Sequence, residues 1–168
     1  MSKKSGSRHL AGKSKPTLLY LVCGLIAAAF VAFSFFPCIK AGDKTWNVIT
    51  FAMDGYIIGE SVSNVGAWDF GGTVKNVAMA MAGAYSMLVA LNVAWALFSF
   101  LRKRPAGVFG IIASLLSAAV SAFWLFVAIT IAKNVPGIDV TYIPIINTAL
   151  MVIGIPLSIV QIARKKYL

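Results

Sequence analysis

The sequence predicts an all-α integral membrane protein: a bundle of four transmembrane helices with both termini inside and a small extracytoplasmic β-hairpin in the first outer loop. Of the 168 residues, 60% are apolar and 12% are charged, whereas a soluble domain has roughly 45–50% apolar and about 25% charged residues. Four long runs contain no Asp, Glu, Lys, Arg or His. Clusters of Lys and Arg adjoin these runs, as cytoplasmic anchors do.

Each uncharged run is long enough to cross a bilayer, because about 20 helical residues span the roughly 30 Å hydrocarbon core. The predicted spans are 17–36, 77–101, 106–132 and 142–163. The predicted connecting segments are a basic disordered tail over 1–16, an outer loop over 37–76, a cytoplasmic turn over 102–105, a second outer loop over 133–141 and a tail over 164–168. We interpret the first run as a retained span, since it is longer than the apolar region of a signal peptide.

Lys and Arg are distributed asymmetrically between the two sides of the membrane. With a cytoplasmic N-terminus, eleven of the fifteen cations lie inside, and all five acidic residues lie outside. Because this bias sets orientation, we predict both termini inside, in the plasma (inner) membrane. The inner cations are expected to meet anionic lipids. They are not interleaved with aromatic residues that could stack bases, so nucleic acid is not an expected partner.

The first outer loop is the only long stretch that is not predicted to be a membrane span. It holds four of the five acidic residues and two of the four tryptophans, Trp46 and Trp68. Asp54-Gly55 follows 45–53, a run rich in β-branched and aromatic residues, and precedes a second such run. This pattern predicts a hairpin with a type I′ turn. We interpret it either as a recognition surface that includes Trp46, Asp54, Gly55 and Trp68, or as a cap over the helix ends.

Small residues recur every four positions along the third span, at Gly110, Ser114, Ala118 and Ala122. Small side chains at this spacing let two helix backbones approach closely. We therefore predict a helix–helix contact along this stripe, either within the chain or with a second copy.

Three amide side chains lie within the predicted spans: Asn92, Asn147 and Gln161. Each has several donor and acceptor sites to satisfy. They could link neighbouring helices by hydrogen bonds, which contribute about 0.6 kcal/mol each on average in one membrane protein, or they could line a polar cavity. We favour the first interpretation.

The sequence contains no motif for catalysis or metal binding. No Asp, Glu, Lys, Arg or His falls within a predicted span, although proton-coupled transporters usually need one. Motifs of metalloproteases, serine hydrolases, P-loop enzymes and dithiol oxidoreductases are absent. We therefore predict no catalytic residue, no cofactor and no metal. Cys23 and Cys38 are about 22 Å apart along a helix, too far for a disulfide, and Cys38 is expected to be a free thiol near the outer surface.

The layout of four spans, cytoplasmic termini, a long first outer loop with β character and a short second one resembles that of the claudin family. That family's first loop carries a Trp, a Gly-Leu-Trp and two later cysteines. Here Trp46 is followed by Asn47-Val48-Ile49, and Cys38 precedes it. The resemblance covers the layout alone and implies no residue role.

These observations predict a non-enzymatic function. The first hypothesis is an accessory or scaffold subunit that binds another membrane protein, or itself, through the outer loop and the small-residue stripe. The alternative is an oligomeric passive channel or a transporter component for small molecules, with a polar lining.

Overall fold

The computed structural model of the chain describes residues 17–51, 70–103, 105–134 and 136–165. Four long helices occur there: α1 (Thr17–Ser34), α2 (Phe70–Phe100), α3 (Ala106–Asn134) and α4 (Ile143–Lys165). Three short strands accompany them: β1 (Ile39–Ala41), β2 (Lys44–Trp46) and β3 (Ile138–Val140).

Three of these helices are long and apolar enough to cross a membrane, over Met79–Phe100, Ala106–Asn134 and Ile143–Ala163. They indicate a multi-pass integral membrane protein. The apolar part of α1, Leu18–Ser34, is shorter. The helix α2 begins at Phe70, well before the predicted start at residue 77, and the other helix bounds lie within two residues of the predicted ones.

The helices run alternately up and down and form a ring in which α1 contacts both α2 and α4, and α3 contacts both α2 and α4. The strands lie at one end of this bundle, which we call the sheet end. Residues 101–105 join α2 to α3 at the opposite end, where Arg102 and Lys103 are exposed. We call this the basic end.

In every helix one series of buried positions alternates in spacing between three and four residues. The other buried helix residues, Gly24, Ala96, Ala106 and Ala113, are each adjacent in sequence to a member of this series. A mean spacing of about 3.5 residues keeps one face of a helix turned towards its neighbours, as in coiled coils and four-helix bundles. The positions in this series are Cys23, Ala27, Phe30 and Ser34 in α1; Met81, Tyr85, Leu88, Asn92, Trp95 and Ser99 in α2; Gly107, Gly110, Ser114, Ser117, Ser121, Trp124, Ala128 and Ile131 in α3; and Pro144, Asn147, Met151, Gly154, Ser158 and Gln161 in α4.

The bundle exposes large apolar side chains and buries a group of polar ones along with its apolar core. Large apolar side chains are exposed on all four helices, among them Leu18 (73% exposed), Met87 and Phe126 (68% each). Among the described residues, nine polar side chains are buried. A lipid environment explains this arrangement, because the bilayer solvates apolar side chains and leaves polar ones to find partners inside the protein.

A small antiparallel sheet connects the two loops at the sheet end. Its strand order is β2-β1-β3, with Ile39 opposite both Trp46 and Val140. The turn between β1 and β2 contains Gly42 at φ 57°, a left-handed conformation that glycine adopts without strain. Beyond β3, the Thr141 amide and hydroxyl donate to the carbonyls of Cys38 (3.0 Å) and Pro37 (2.7 Å).

The predicted hairpin across Asp54-Gly55 is wrong in its first strand. Strand β2 ends at Trp46, and residues 48–51 are helical. The Asn47 side-chain oxygen caps this turn by accepting from the amides of Ile49 (2.9 Å) and Thr50 (2.8 Å), a local signal that outweighs the β-branched composition. Phe51, predicted in a strand, packs edge-on against Trp124 with ring centroids 5.2 Å apart.

Candidate functional site

The candidate site is a line of buried polar side chains in the interior of the bundle, which we call the polar seam. It runs from the sheet end towards the basic end along α2, α3 and α4, and each member is at most 1% exposed. Its members are Asn92 and Ser99 of α2, Ser114, Ser117 and Ser121 of α3, and Asn147, Ser158 and Gln161 of α4.

At the sheet end of the seam, Tyr85 of α2 donates its hydroxyl to the Ser121 hydroxyl at 2.9 Å. The Tyr85 ring stacks on Phe30 of α1 with centroids 6.1 Å apart. Ser121 therefore ties three helices together through one tyrosine. The Oδ1 atom of Asn147 is also buried in the seam, and no residue in the described part of the chain donates to it.

In the middle of the seam, Asn92 links α2 to α3. Its Nδ2 atom donates to the Ser117 hydroxyl at 2.8 Å and to the Leu88 carbonyl at 2.9 Å. This geometry agrees with the interpretation of Asn92 as an interhelical link. Its Oδ1 atom, however, has no donor within the described ranges, so Asn92 is only half satisfied.

Nearer the basic end, Trp95 lies between two glycines. Its Nε1 atom is 2.5 Å from the position that a Cβ would take on Gly110, and its ring edge is 3.1 Å from the same position on Gly154. The Ser158 hydroxyl also contacts that position on Gly110. The two glycines thus make room for a buried indole between α3 and α4.

Several buried polar atoms of the interior have no hydrogen-bond partner among the described residues. Besides the two asparagine oxygens, they include the indole nitrogen of Trp95, the hydroxyls of Ser99 and Ser158, and both amide atoms of Gln161. Each unpaired polar group costs about 1–3 kcal/mol when it is buried. Buried polar groups in folded proteins usually have a partner, so these groups call for an explanation.

The predicted small-residue stripe divides between two faces of α3. Gly110 and Ser114 are buried, Ala118 is half-buried and Ala122 is exposed. Four residues advance a helix by one turn and about 40° more, so a spacing of four rotates away from any fixed neighbour. The part at Gly110 and Ser114 packs within the chain, against Trp95 and α4.

The sequence reasoning identified Asn92, Asn147 and Gln161, and the structure places all three in the seam. It missed Trp95 and Ser158, whose signal was the alternating spacing of three and four residues along α2 and α4.

Of the four predicted outer-loop residues, Trp46 lies within the described part of the chain. Trp46 is buried, only 7% exposed, at the end of β2, so its side chain is not presented at the surface. Asp54, Gly55 and Trp68 lie outside the described residues. No group of His, Cys, Asp or Glu side chains in the described ranges could hold a metal ion.

Cys38, expected at the surface, is 1% exposed. It precedes β1, and its thiol donates to the Trp46 carbonyl at 3.2 Å. Burial raises the pKa of this thiol to about 12, against weaker opposing contributions from the Trp124 side chain and nearby backbone amides.

No protein-family model matches the chain, and no curated protein or solved structure is similar to it.

Proposed function

We propose that the protein is a non-enzymatic four-span membrane protein, with both termini in the cytoplasm, that forms a passive pathway for small uncharged polar molecules. The observation that supports this proposal is the polar seam, in which unpaired donors and acceptors recur from Asn147 to Gln161. Hydrogen-bonding groups along a pore replace the hydration shell of a passing molecule.

The chemistry of the seam favours an uncharged molecule. Its members are hydroxyls and amides, and no Asp, Glu, Lys, Arg or His falls within the four predicted spans. An ion would enter this interior without a counter-charge, and burying an unpaired charge is far more costly than burying a neutral polar group. A neutral molecule that both donates and accepts hydrogen bonds matches the amides and hydroxyls together.

The described conformation is the closed one in this proposal, since every seam residue is at most 1% exposed. Opening would separate the helices around Trp95, whose indole fills the interior between Gly110 and Gly154. Arg102 and Lys103, exposed at the basic end, would meet anionic lipids of the plasma membrane and hold that end at the cytoplasmic surface.

Osmotic shrinkage of liposomes that contain the purified protein tests this function. Water permeability above that of protein-free liposomes, with no increase in potassium permeability, is the expected result. Asn147→Leu should reduce it at least several-fold, whereas Thr130→Leu, a matched change at an exposed position of α3, should not. Equal rates with and without protein would overturn the proposal.

A second candidate is the accessory or scaffold role, with another membrane protein or a second copy as partner. It is favoured by the exposed part of the stripe, where Ala122 leaves the outer face of α3 smooth beside the half-buried Ala118. Ala122→Leu would block packing on this face without disturbing the core. If the protein purified in mild detergent has the mass of a monomer with or without this change, the second candidate fails.

A further inference from the structure

The unpaired polar atoms are concentrated towards the basic end of the seam. Five of them belong to four side chains of α2 and α4: the Trp95 indole nitrogen, the Ser99 and Ser158 hydroxyls, and the two amide atoms of Gln161. Each of these side chains is at most 1% exposed. Several neighbouring buried donors and acceptors are therefore unpaired, and not a single atom.

The glycines of α3 place these side chains in consecutive layers. The Trp95 nitrogen and the Ser158 hydroxyl both lie against Gly110. Gln161 lies one turn closer to the basic end, with its Cβ 3.3 Å from the Cβ position of Gly107. Ser99 follows Trp95 by one turn on the same buried face of α2.

The four side chains have complementary hydrogen-bonding capacities. The indole of Trp95 can only donate, the two hydroxyls can donate and accept, and the Gln161 amide offers two donors and an acceptor. A buried water molecule typically makes about three hydrogen bonds to otherwise unpaired polar groups. The tight contacts around Gly110 favour a ligand of this size over a larger one.

We propose that Trp95, Ser99, Ser158 and Gln161 form an internal binding site for water. This inference deepens the proposed function, since it identifies where the passing molecule is held next to the cytoplasmic exit. A water molecule at the Trp95 indole would accept its N–H and donate to the Ser158 hydroxyl, which lies against the same position of Gly110. The four side chains are themselves uncharged, so an ion would find no counter-charge among them.

The test is NMR of the full-length protein in lipid nanodiscs, with ¹⁵N-labelled tryptophan. Magnetisation transfer from water to the Trp95 indole proton, assigned with Trp95→Phe, should be observed although this side chain is fully buried. Trp124 is the internal reference. Its indole nitrogen is also buried and without a hydrogen-bond partner among the described residues, but it lies at the sheet end, beside Phe51 and the thiol of Cys38. Its indole proton should show no transfer.

A second variant, which keeps Trp95, tests the site even if Trp95→Phe does not fold. Ser158→Ala should reduce the water signal at Trp95 at least two-fold, and Ser86→Ala, at an exposed serine of α2, should leave it unchanged. Urea serves as the larger probe and should not shift the Trp95 resonance.

Three results would overturn the inference: a Trp95 indole without water contact, equal water contact at Trp95 and Trp124, or a saturable shift with urea. The liposome experiment tests the proposed pathway independently of the water site. If water contacts Trp95 but the protein does not raise liposome permeability, the binding site is supported and the proposed pathway is rejected.

Discussion

The hydroxyl of Tyr85 donates to the hydroxyl of Ser121 across 2.9 Å, and both side chains are fully buried. This hydrogen bond joins α2 to α3 between residues that are 36 positions apart in sequence. Because the Tyr85 ring also stacks on Phe30, the same side chain holds three helices at the sheet end of the bundle.

Tyr85→Phe should lower the free energy of unfolding while leaving the fold intact. The ring and its stacking on Phe30 remain, and only the hydroxyl is lost, so we expect a decrease of about 0.6 kcal/mol and at most about 1.7 kcal/mol. Unfolding in mixed micelles with increasing SDS measures the change. Tyr142→Phe, at a side chain that is 80% exposed, is the control, and an equal effect of both variants would contradict the assignment.

Substitution by alanine should change the stability of the protein in opposite directions at two glycines, Gly110 and Gly83. At Gly110 a Cβ would collide with Trp95 and Ser158, whereas at Gly83 nothing lies within 4 Å of it. Gly110→Ala should therefore destabilise the protein by about 1–3 kcal/mol through overpacking. Gly83→Ala should stabilise it by about 0.5–1 kcal/mol, because alanine loses less backbone entropy in a helix.

Thermal unfolding in detergent, followed by circular dichroism, compares the two glycine variants under one set of conditions. A Gly110→Ala protein that melts at or above the wild-type temperature would show that Trp95 does not pack against α3 as described.

The Cys38 thiol should resist labelling in the folded protein. It is buried, and its pKa of about 12 leaves almost no thiolate at neutral pH. A membrane-impermeant maleimide applied at pH 7.5 should label Thr45→Cys, at an exposed position of β2, and leave Cys38 unmodified until the protein unfolds. Equal labelling of both thiols would contradict the burial of Cys38.

The same thiol makes stability depend on alkaline pH. The ordinary pKa of 9.0 applies when the chain is unfolded, and burial raises it to about 12 in the folded state. Between these values the unfolded chain loses a proton that the folded chain keeps, so the free energy of unfolding falls as pH rises. Comparing wild type with Cys38→Ala from pH 8 to pH 11 isolates this contribution, because the variant lacks the thiol.

The sequence predicted best those features that do not depend on contacts between distant parts of the chain. Uncharged length predicted the helices, and an amide in an apolar run predicted Asn92, Asn147 and Gln161 as buried groups. The face of α3 could not be predicted from one regular spacing, because Gly110 to Ala122 at intervals of four passes from the interior to the lipid side.

The loops were harder to predict, because their pairing is set by distant parts of the chain. Strand β1 pairs with β3, which lies beyond two long helices. Local composition could not show this pairing, and it suggested a strand where Asn47 instead caps a helical turn. The burial of Cys38 has the same cause, since the sheet and the end of α3 cover it.

The sheet also orders the events of biosynthesis. Thr141 is 104 residues downstream of Pro37, to which it donates, and at about 5–20 residues per second the ribosome needs about 5 to 20 seconds to reach it. During that interval β1 has no β3 with which to pair. A chain truncated before β3 could never complete this closure. The sheet therefore marks a chain whose first three helices have already been synthesised.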